Sequence, residues 1–446
     1  MRRLAVALAA ATLLHAGTAW AQPHSHHAGT PRAGARIGVL IMDHGEPPTY
    51  NRHTYESFRA FIKHLIEMGI IPWWLEAVDT GTVLQSENCY ACPSPEVGST
   101  LIDAWLTRHG GPAAFVPRIS EDLPPHYVMP GGPGFGEPDI YEHAGLQTWD
   151  EWERMGGRSP NYDEKLAKKR ELIRRLRSRY GNRIAIRVGY GIDPRIGGRR
   201  QSVTHAVEQL VRTDRVGGIV AVYHGVGFSD IMQTHMLRHE VHEALTRLKA
   251  DIPLRFASPM GTSRRYIEAV VSKVRAELAA VPASAPVAIH LSGHGLPTTM
   301  CGEYDCGSDA YHRFSRDLFA RTRRAVLSEI RRPGRLGVFS VYGDGAEGDD
   351  DPDDEVDSPA EGLAERRQQG YRYVIDIPYE FDSNSRDTLI ILRAAYGRQA
   401  PDWNARYESR FTRHGMRVKL ANASGGEDLK VDALEEVTTR ALSRWL

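Results

Sequence analysis

The sequence predicts an α/β fold: two doubly wound, Rossmann-like parallel-sheet domains of the chelatase type with an irregular insertion. The chain has 446 residues, 41% of them hydrophobic, which is more than one small core accommodates. Short, nearly continuous apolar runs are typical of strands buried on both faces of a parallel sheet. Helical stretches separate these runs, and this alternation is characteristic of parallel sheets covered by helices.

The apolar runs and the stretches between them define the expected elements. The expected strands are 36–43, 184–190, 216–223, 254–258, 287–291, 336–341 and 371–377. The expected helices are 54–68, 162–180, 202–212, 232–250, 263–279, 310–331 and 431–446. These units are too many for one small sheet, so we expect two domains that divide near residue 182.

The N-terminus resembles a secretory signal peptide. A basic start at Arg2 and Arg3 precedes the apolar run 4–14, and Ala19 and Ala21 form a small-x-small cleavage site. The apolar run is short for a membrane span. We therefore predict a signal peptide over 1–21 and an exported protein, periplasmic or secreted. A retained N-terminal anchor is the alternative.

Beyond the signal peptide the predicted organisation has four parts. They are a flexible His-rich lead (22–35), an N-terminal α/β domain (36–182) with an insertion (73–150), a C-terminal α/β domain (183–378) with an acidic loop (344–357), and a closing segment (379–446) that returns to the N-terminal domain. The acidic loop has two interpretations, a solvated, self-repelling loop or a low-affinity attractor of divalent cations. The His-rich lead is either a plain linker or a loose metal-gathering tail.

Charge and motifs exclude several function classes. The chain has 56 Lys and Arg against 56 Asp and Glu, so it does not bind nucleic acid through bulk positive charge. The sequence lacks the G-x-S-x-G elbow that would indicate an α/β-type serine hydrolase. Peripheral contact with a membrane stays open, and the sequence does not predict the oligomeric state.

A His-Gly dipeptide follows three of the expected strands. These histidines are His44, His224 and His294. Ligands of open parallel sheets bind beyond the carboxyl ends of the strands. A neutral imidazole is both a transition-metal ligand and a base near neutral pH. The repetition predicts a shared cleft lined by imidazoles, and the alternative is three separate turn histidines. A further set at 235, 239 and 242 has helical spacing and is either a metal site or a polar surface stripe.

The segment around His294 resembles a known family. SGHGLP at 292–297 is similar to the S-x-H-G/S-L-P motif of ferrochelatases, the class II chelatases that insert iron into protoporphyrin. Other similar segments follow the family's order: GVLIMDHGEP at 38–47, MGGRSP at 155–160, YEFDSNSRDTL at 379–389, and the closing loop and helix at 422–446. His44 looks more like the G-H-G strand end of sirohydrochlorin cobalt chelatases, whose metal is held by histidines.

The resemblance implies a lyase-type metal chelatase of haem-type biosynthesis, with a tetrapyrrole and Fe²⁺ or Co²⁺ as substrates. It implies that His294 is the main base or metal ligand and that Asp387 is its carboxylate partner, with Glu380 in reserve. His44 and His224 would be auxiliary metal ligands. The loop nearest the macrocycle would contain Gly156, Gly157 and Ser159.

The sequence also departs from the family pattern. Ser385 stands where the family carries His, and Asp387 stands where it carries a catalytic Glu, which shortens the carboxylate by one methylene. The family's tetrapyrrole-facing segment is replaced by 342–357. These departures favour a second hypothesis, a non-catalytic tetrapyrrole- or metal-binding protein derived from a chelatase. For Glu380 and Asp387 the structural alternative is charge at a helix N-terminus.

The cysteines form two close pairs, Cys89 with Cys92 and Cys301 with Cys306. In an exported protein we expect two local disulfides. The alternative is a four-thiolate zinc or iron–sulfur site shared between the pairs.

Overall fold

The structure is a computed structural model. It describes residues 29–43, 45–46, 48–49, 152, 155, 157–191, 201–227, 237–293, 308–342, 359–385, 388–389, 392–394, 396 and 409–446, without the side chains of 239, 308–312, 394 and 409. Several predictions lie outside these residues. They concern the signal peptide, residues 22–28 of the His-rich lead with its three histidines, the helix at 54–68, the insertion, the acidic loop, His44, Gly156, His294, Asp387, the four cysteines, and the side chains at 235 and 239.

The chain is an α/β protein with two mostly parallel sheets and interleaved helices, which confirms the predicted fold class. The first sheet has the strand order β2-β1-β3-β4. Its strands are β1 (Ile37–Asp43), β2 (Ile184–Tyr190), β3 (Gly218–Tyr223) and β4 (Leu254–Phe256). All of them are parallel, and β1 lies in the middle with every residue buried.

The second sheet has the order β6-β5-β7-β9-β8. Its strands are β5 (Val287–Gly293), β6 (Leu336–Tyr342), β7 (Tyr373–Pro378), β8 (Ser409–Arg413) and β9 (Met416–Leu420). The strands β5, β6, β7 and β9 are parallel, and β8 pairs antiparallel with β9. The sequence analysis missed this edge hairpin. Its signal is the alternation of buried Met416, Val418 and Leu420 with polar residues after a His414-Gly415 turn of positive φ.

Helices cover both sheets. They are α1 (Asn161–Tyr180), α2 (Val203–Glu208), α3 (Leu237–Arg247), α4 (Arg264–Leu278), α5 (Ser308–Glu329), α6 (Pro359–Gln368) and α7 (Glu427–Leu442). Shorter helical pieces are Gly181–Arg183, Gln209–Thr213, Met260–Thr262 and Leu392–Ala394. The helix α7 packs against α1 and α4, so the end of the chain lies beside the helix that precedes β2. No helix within the ranges given above is long and apolar enough to cross a membrane.

The two sheets divide the chain between Phe256 and Val287, whereas the sequence analysis expects a division near residue 182. The difference arises because β2, which begins at Ile184, pairs with β1 rather than starting a new sheet. Periodicity identifies a buried strand but does not tell which neighbour it pairs with. The first sheet therefore takes three strands from beyond residue 182.

Both faces of β1 are buried, which explains its continuous apolar sequence. Val39 and Ile41 belong to a core shared with α1, α4 and the second sheet. Leu40 and Met42 face the other way and pack with residues of α2 and α3. Successive side chains of a strand point to opposite faces, so a strand between two helical layers needs apolar residues throughout. The polar residue Asp43 ends the strand.

Candidate functional site

The carboxyl ends of β1 and β3 lie side by side. Asp43 is the last residue of β1, and His224 follows the last residue of β3. The backbone N–H of His224 donates to the carbonyl of Met42 at 2.7 Å, which fixes the start of the loop after β3. The ends of these neighbouring parallel strands therefore present a carboxylate and an imidazole at one edge of the first sheet.

His224 is fully buried between two carboxylates. Its Nε2 lies 3.1 Å from Oδ2 of Asp382, and its Nδ1 lies 3.6 Å from Oδ2 of Asp43. Burial lowers the pKa of His224, and the charge of Lys169 acts in the same direction, while both carboxylates oppose the shift. The imidazole is therefore neutral at neutral pH.

Three lysines of α1 surround the same carboxylates. Lys165 Nζ lies 3.0 Å from Asp43 Oδ1 and 3.8 Å from Asp382 Oδ1. Lys169 forms a close ion pair with Asp43, and Lys168 Nζ lies 3.4 Å from Asp382 Oδ2. The spacing i, i+3, i+4 places all three ammonium groups on one face of the helix. All five side chains are buried, so the strand ends meet α1 through a buried ionic network.

The lysines keep both carboxylates ionised. Burial by itself raises the pKa of Asp43, but Lys165 and Lys169 reverse the shift and hold it well below the usual range. For Asp382 burial acts in the same way, and Lys168 and Lys165 again hold the pKa well below its ordinary value. A buried ion pair is strongly destabilised when one partner is removed. Each carboxylate is thus tied to the position of α1.

The helix α7 completes the network from the other side. Lys430 Nζ donates to the backbone carbonyls of Asp382 and Ala423, both at 2.8 Å. Glu427 Oε2 lies 3.0 Å from the ammonium group of Lys168. Burial lowers the pKa of Lys430 to about 8. The loop that carries Asp382 is therefore held by both α1 and α7.

The loop predicted to lie near a macrocycle sits beside the turn after β1. The backbone N–H of Ser159 donates to the carbonyl of Pro48 at 2.8 Å, and the Ser159 hydroxyl donates to Glu46. Gly157 has a φ of +78°, and a Cβ built there would meet no atom of the described residues within 4 Å. The buried Ser159 thus fixes the loop to the turn after β1. At Gly157 the backbone has no close neighbour among the described residues.

Glu380 lies over the end of β5. A Cβ added to Gly293 would be 2.6 Å from Glu380 Oε2 and 2.7 Å from Tyr342 Cε1. The Ser315 hydroxyl donates to Glu380 Oε1, and Tyr379 Oη donates to the same oxygen at 3.3 Å. Only a glycine leaves space for this carboxyl at the strand end. Glu380 occupies the turn after β7 rather than the start of a helix.

The turn after β7 joins the ends of the two sheets. Glu380 covers Gly293 at the end of β5, and two residues later Asp382 contacts His224 at the end of β3. The Tyr266 hydroxyl donates to the carbonyl of Tyr379 at 2.6 Å and steadies the turn. The strand ends of both sheets therefore converge on one short segment.

Within the segment 379–389, which resembles a family motif, Ser385 and Thr388 are hydrogen-bonded to each other. The backbone N–H of Ser385 donates to Thr388 Oγ1 at 2.9 Å, and the N–H of Thr388 donates to Ser385 Oγ at 3.3 Å. Asn384 donates to Glu164 through its backbone N–H at 2.8 Å. The Ser385 hydroxyl thus accepts a hydrogen bond from the neighbouring Thr388, at the position where the family carries His.

Of the predicted site residues, the structure places Glu380 and His224 at the converging strand ends, and it places the loop of Gly157 and Ser159 beside the turn after β1. The roles assigned to them stay predictions. Across the ranges given for the structure, no three His, Cys, Asp or Glu side chains form a group that could hold a metal ion.

Sequence reasoning missed Asp382 and the lysines of α1. The lysines have a sequence signal: Lys165, Lys168 and Lys169 lie on the same side of the helix as the buried Leu172 and Leu176. Charged residues at buried-stripe positions indicate charge compensation inside the protein.

Comparisons with known proteins do not assign the chain to a family. No protein-family model and no curated protein matches the chain. One solved structure that is similar to it is SirB from Bacillus subtilis with Fe³⁺, at 8% sequence identity and a TM-score of 0.37, covering 63% of this chain and 92% of that one. A likeness of this degree does not extend to activity, substrate or metal.

Proposed function

We propose that this protein is a metal chelatase that inserts a divalent cation, Fe²⁺ first and Co²⁺ second, into a tetrapyrrole. One observation carries the proposal: the turn with Glu380 and Asp382 joins the strand ends of both sheets. His44 is the residue after Asp43, and His294 is the residue after Gly293. Each histidine therefore directly follows, in the sequence, a strand whose carboxyl end lies at this junction.

Metal insertion needs groups of the kinds found here. Two pyrrole N–H protons must be accepted, and the hydrated cation must lose water and be handed to the ring. A positioned imidazole base typically accelerates proton transfer by about 10²–10⁴-fold. In this proposal His294 is the base or first ligand, and Glu380 and Asp387 take up protons. Glu380 is already aimed at the end of β5.

For His224 we propose a positioning role instead of the ligand role expected from the resemblance. Its two nitrogens face Asp382 and Asp43, and the three α1 ammonium groups pair with the same carboxylates. Unit charges about 4 Å apart interact by about 4 kcal/mol near a protein surface, so these lysines oppose a dication beside His224. The cation would then be bound by His44, His294 and Asp387.

The loop at 156–159 is proposed to face the macrocycle. Among the described residues no atom lies within 4 Å of a Cβ built on Gly157, which leaves room there for a flat ligand to approach the backbone. Ser159, fixed by Glu46, holds this loop next to the turn after β1. Gly156, which precedes Gly157 in the sequence, is proposed to face the macrocycle with it.

The second candidate function is a carrier that binds a tetrapyrrole or a metal without catalysis. It is favoured by Ser385, whose hydroxyl accepts a hydrogen bond from Thr388 and supplies no base. Binding without turnover would match a chain in which the family's imidazole has been replaced.

The test is multiple-turnover metal insertion by the purified protein. Protoporphyrin and Fe²⁺, Co²⁺ or Zn²⁺ are incubated with it under reducing, anaerobic conditions, and the metalloporphyrin is followed by absorbance. We expect many products per chain, a loss of about 10²-fold or more in His294→Asn, and an unchanged rate in His414→Asn. His414 is a matched control because it lies exposed in the β8–β9 turn. One metallated or bound porphyrin per chain would instead establish the carrier.

We also propose that the chain is exported and cleaved after Ala21, as its basic and apolar N-terminus predicts. Sequencing the N-terminus of the mature protein tests this. A start at Gln22 supports export, and a start at Met1 or Arg2 contradicts it.

A further inference from the structure

Three hydroxyl groups hold the Glu380 carboxyl at the end of the second sheet. Ser315 of α5 donates its hydroxyl proton to Glu380 Oε1, and Tyr379 Oη donates to the same oxygen at 3.3 Å. Ser315 Oγ also lies 2.8 Å from the hydroxyl oxygen of Tyr342, the last residue of β6. The side chains of Ser315, Tyr342 and Tyr379 are all buried. The carboxyl is therefore bound by two hydroxyl groups, and a third supports one of them.

The protons of these hydroxyl groups have defined positions. A serine hydroxyl has one proton, and Ser315 gives it to Glu380, so Tyr342 is the donor in its contact with Ser315. Burial raises the pKa of Tyr342 to about 12, and the charge of Glu380 acts in the same direction. The phenol keeps its proton at neutral pH, and the order of donation runs from Tyr342 through Ser315 to Glu380.

The hydroxyl groups lie on the same face of the second sheet as the Glu380 carboxyl. A Cβ added to Gly293 would point at Glu380 Oε2. Alternate residues of a strand share a face, so Gly293 continues the row of Leu291, which belongs to the same core as Leu318 of α5. Ser315 precedes Leu318 by about one helical turn and lies on the same side of α5. The two oxygens of Glu380 therefore differ, because Oε1 faces the hydroxyl groups and Oε2 lies over the end of β5.

The helix α5 is itself positioned by the loops that follow β3 and β4. A Cβ on Gly227 would be 2.7 Å from Cε1 of Phe314, and a Cβ on Gly261 would be 2.9 Å from its Cζ. Arg321 of α5 donates to the backbone carbonyl of Gly261 at 3.1 Å. Ser315 directly follows Phe314, so its position depends on the contact between α5 and the first sheet.

We propose that Ser315, supported by Tyr342, is a positioning residue that makes Oε2 of Glu380 the atom that accepts a proton in the candidate site. The proposal rests on the chelatase function, since metal insertion releases two pyrrole protons. In this step a pyrrole N–H bond breaks, its electron pair stays on the nitrogen, and the proton bonds to Glu380 Oε2. Glu380 changes from carboxylate to carboxylic acid, while Ser315 and Tyr342 keep their own protons.

The two donors at Oε1 serve this step by fixing the rotation of the carboxyl group. Because Oε1 already accepts from Ser315 and Tyr379, Oε2 is the oxygen directed at the end of β5. A proton acceptor is then in place before the substrate binds. Displacing a reacting group by about 1 Å can lower a rate by about 10²-fold, so loss of the Ser315 hydroxyl should slow the chemical step.

The kinetic test removes the Ser315 hydroxyl in multiple-turnover metal insertion. Ser315→Ala should lower kcat by about tenfold or more with KM for the metal unchanged, and Ser315→Thr should restore most of the rate because it returns the hydroxyl. Ser328→Ala is the matched control and should keep the wild-type rate, since Ser328 lies exposed on the same helix with its hydroxyl on the carbonyl of Ala325.

Two results of this experiment would overturn the proposal. One is a wild-type kcat in Ser315→Ala, or a loss that lies in KM alone. The other is a Ser315→Thr chain that is as stable to urea as the wild type and yet as slow as Ser315→Ala. A merely structural role of Ser315 would change stability without this dependence on the hydroxyl.

A double-variant cycle tests whether Tyr342 acts through Ser315. Tyr342→Phe keeps the ring and removes the donor, so we expect a smaller loss of kcat than in Ser315→Ala. The double variant should be no slower than Ser315→Ala, because the phenol has lost the oxygen through which it acts. In a Glu380→Gln background neither change should lower the rate further. Losses that multiply in the double variant would overturn the order Tyr342, Ser315, Glu380.

A titration without substrate tests the contact between Tyr342 and Glu380. 3-Fluorotyrosine is incorporated at position 342, and its fluorine resonance is followed as the pH rises. Because the Glu380 charge raises the pKa at this position, Glu380→Gln should lower the midpoint, whereas Glu329→Gln at the far end of α5 should leave it unchanged. If the wild-type chain inserts no metal, the proposed function and its proton step fail. The titration then decides the positioning alone, and an equal midpoint in wild type and Glu380→Gln overturns it.

Discussion

Nε2 of His224 lies 3.1 Å from Oδ2 of Asp382, and this contact connects the end of a strand in the first sheet to the turn after a strand in the second. The two residues are far apart in sequence, and both are buried. Here the contact brings the ends of both sheets to the same junction, which makes it the basis of the proposed site.

Removing the charge of Asp382 should destabilise the protein strongly. Asp382→Asn leaves Lys168 and Lys165 buried with less compensation, so we expect a loss of about 3 kcal/mol in the free energy of unfolding, measured by urea denaturation. Asp163→Asn is the matched control, because Asp163 pairs with Arg158 at the surface and both are about half exposed. Its loss should stay under about 1 kcal/mol. Equal losses in the two variants would contradict the role of the buried network.

The effect of Asp382→Asn should depend on pH in a defined direction. The folded-state pKa of Asp382 is depressed, so its stabilisation is present above the unfolded-state pKa of about 3.9 and is lost as the pH falls through the lower folded-state pKa. The difference in unfolding free energy between wild type and variant should therefore be constant from neutral pH down to about 5 and shrink below about 4. A difference that grows on acidification would contradict this assignment.

His290 should make the wild-type protein less stable on mild acidification. Its pKa is about 3 in the folded chain, against about 6.5 unfolded, so below 6.5 the unfolded state takes up a proton that the folded state refuses. From pH 7.5 to pH 5 this lowers the unfolding free energy by about 2 kcal/mol. Urea denaturation of His290→Asn at both pH values should show that this part of the pH dependence is missing. If the variant loses as much unfolding free energy between pH 7.5 and pH 5 as the wild type does, then His290 is protonated in the folded chain.

A methyl group at position 293 should displace the Glu380 carboxyl. Gly293→Ala places a Cβ 2.6 Å from Glu380 Oε2, so we expect metal insertion to fall by about tenfold while the protein stays folded. Glu380→Gln should show a comparable loss. If both act through the same carboxylate, the double variant is no worse than either single one, and full additivity of the two losses would contradict the contact.

The sequence predicts the strands well because burial on both faces leaves a plain signal. The expected strand 36–43 is observed as Ile37–Asp43, and 184–190 matches Ile184–Tyr190. The hairpin of β8 and β9 was missed because it lies at a sheet edge, where only alternate residues are buried. The sheet that β2 joins was also missed, since pairing is a long-range property that periodicity does not encode.

The candidate site was partly predictable for a similar reason. Strand ends in a parallel sheet mark the ligand edge, and this rule identified the position of His224, whereas Glu380 was suggested by the family resemblance. Asp382 and Lys165 were not identified, because on sequence alone they read as ordinary surface charges. Their importance comes from mutual compensation in the folded chain, which depends on α1 meeting the turn after β7.

Anomalous diffraction from crystals soaked with Co²⁺ tests most directly that a cation is held at the junction of the two sheets. We expect one strong peak within bonding distance of the imidazoles of His44 and His294, and the loss of that peak in His294→Asn. A strong peak only at the acidic segment 344–357 or at the histidines of residues 24–27, with none beside the strand ends, would contradict the account.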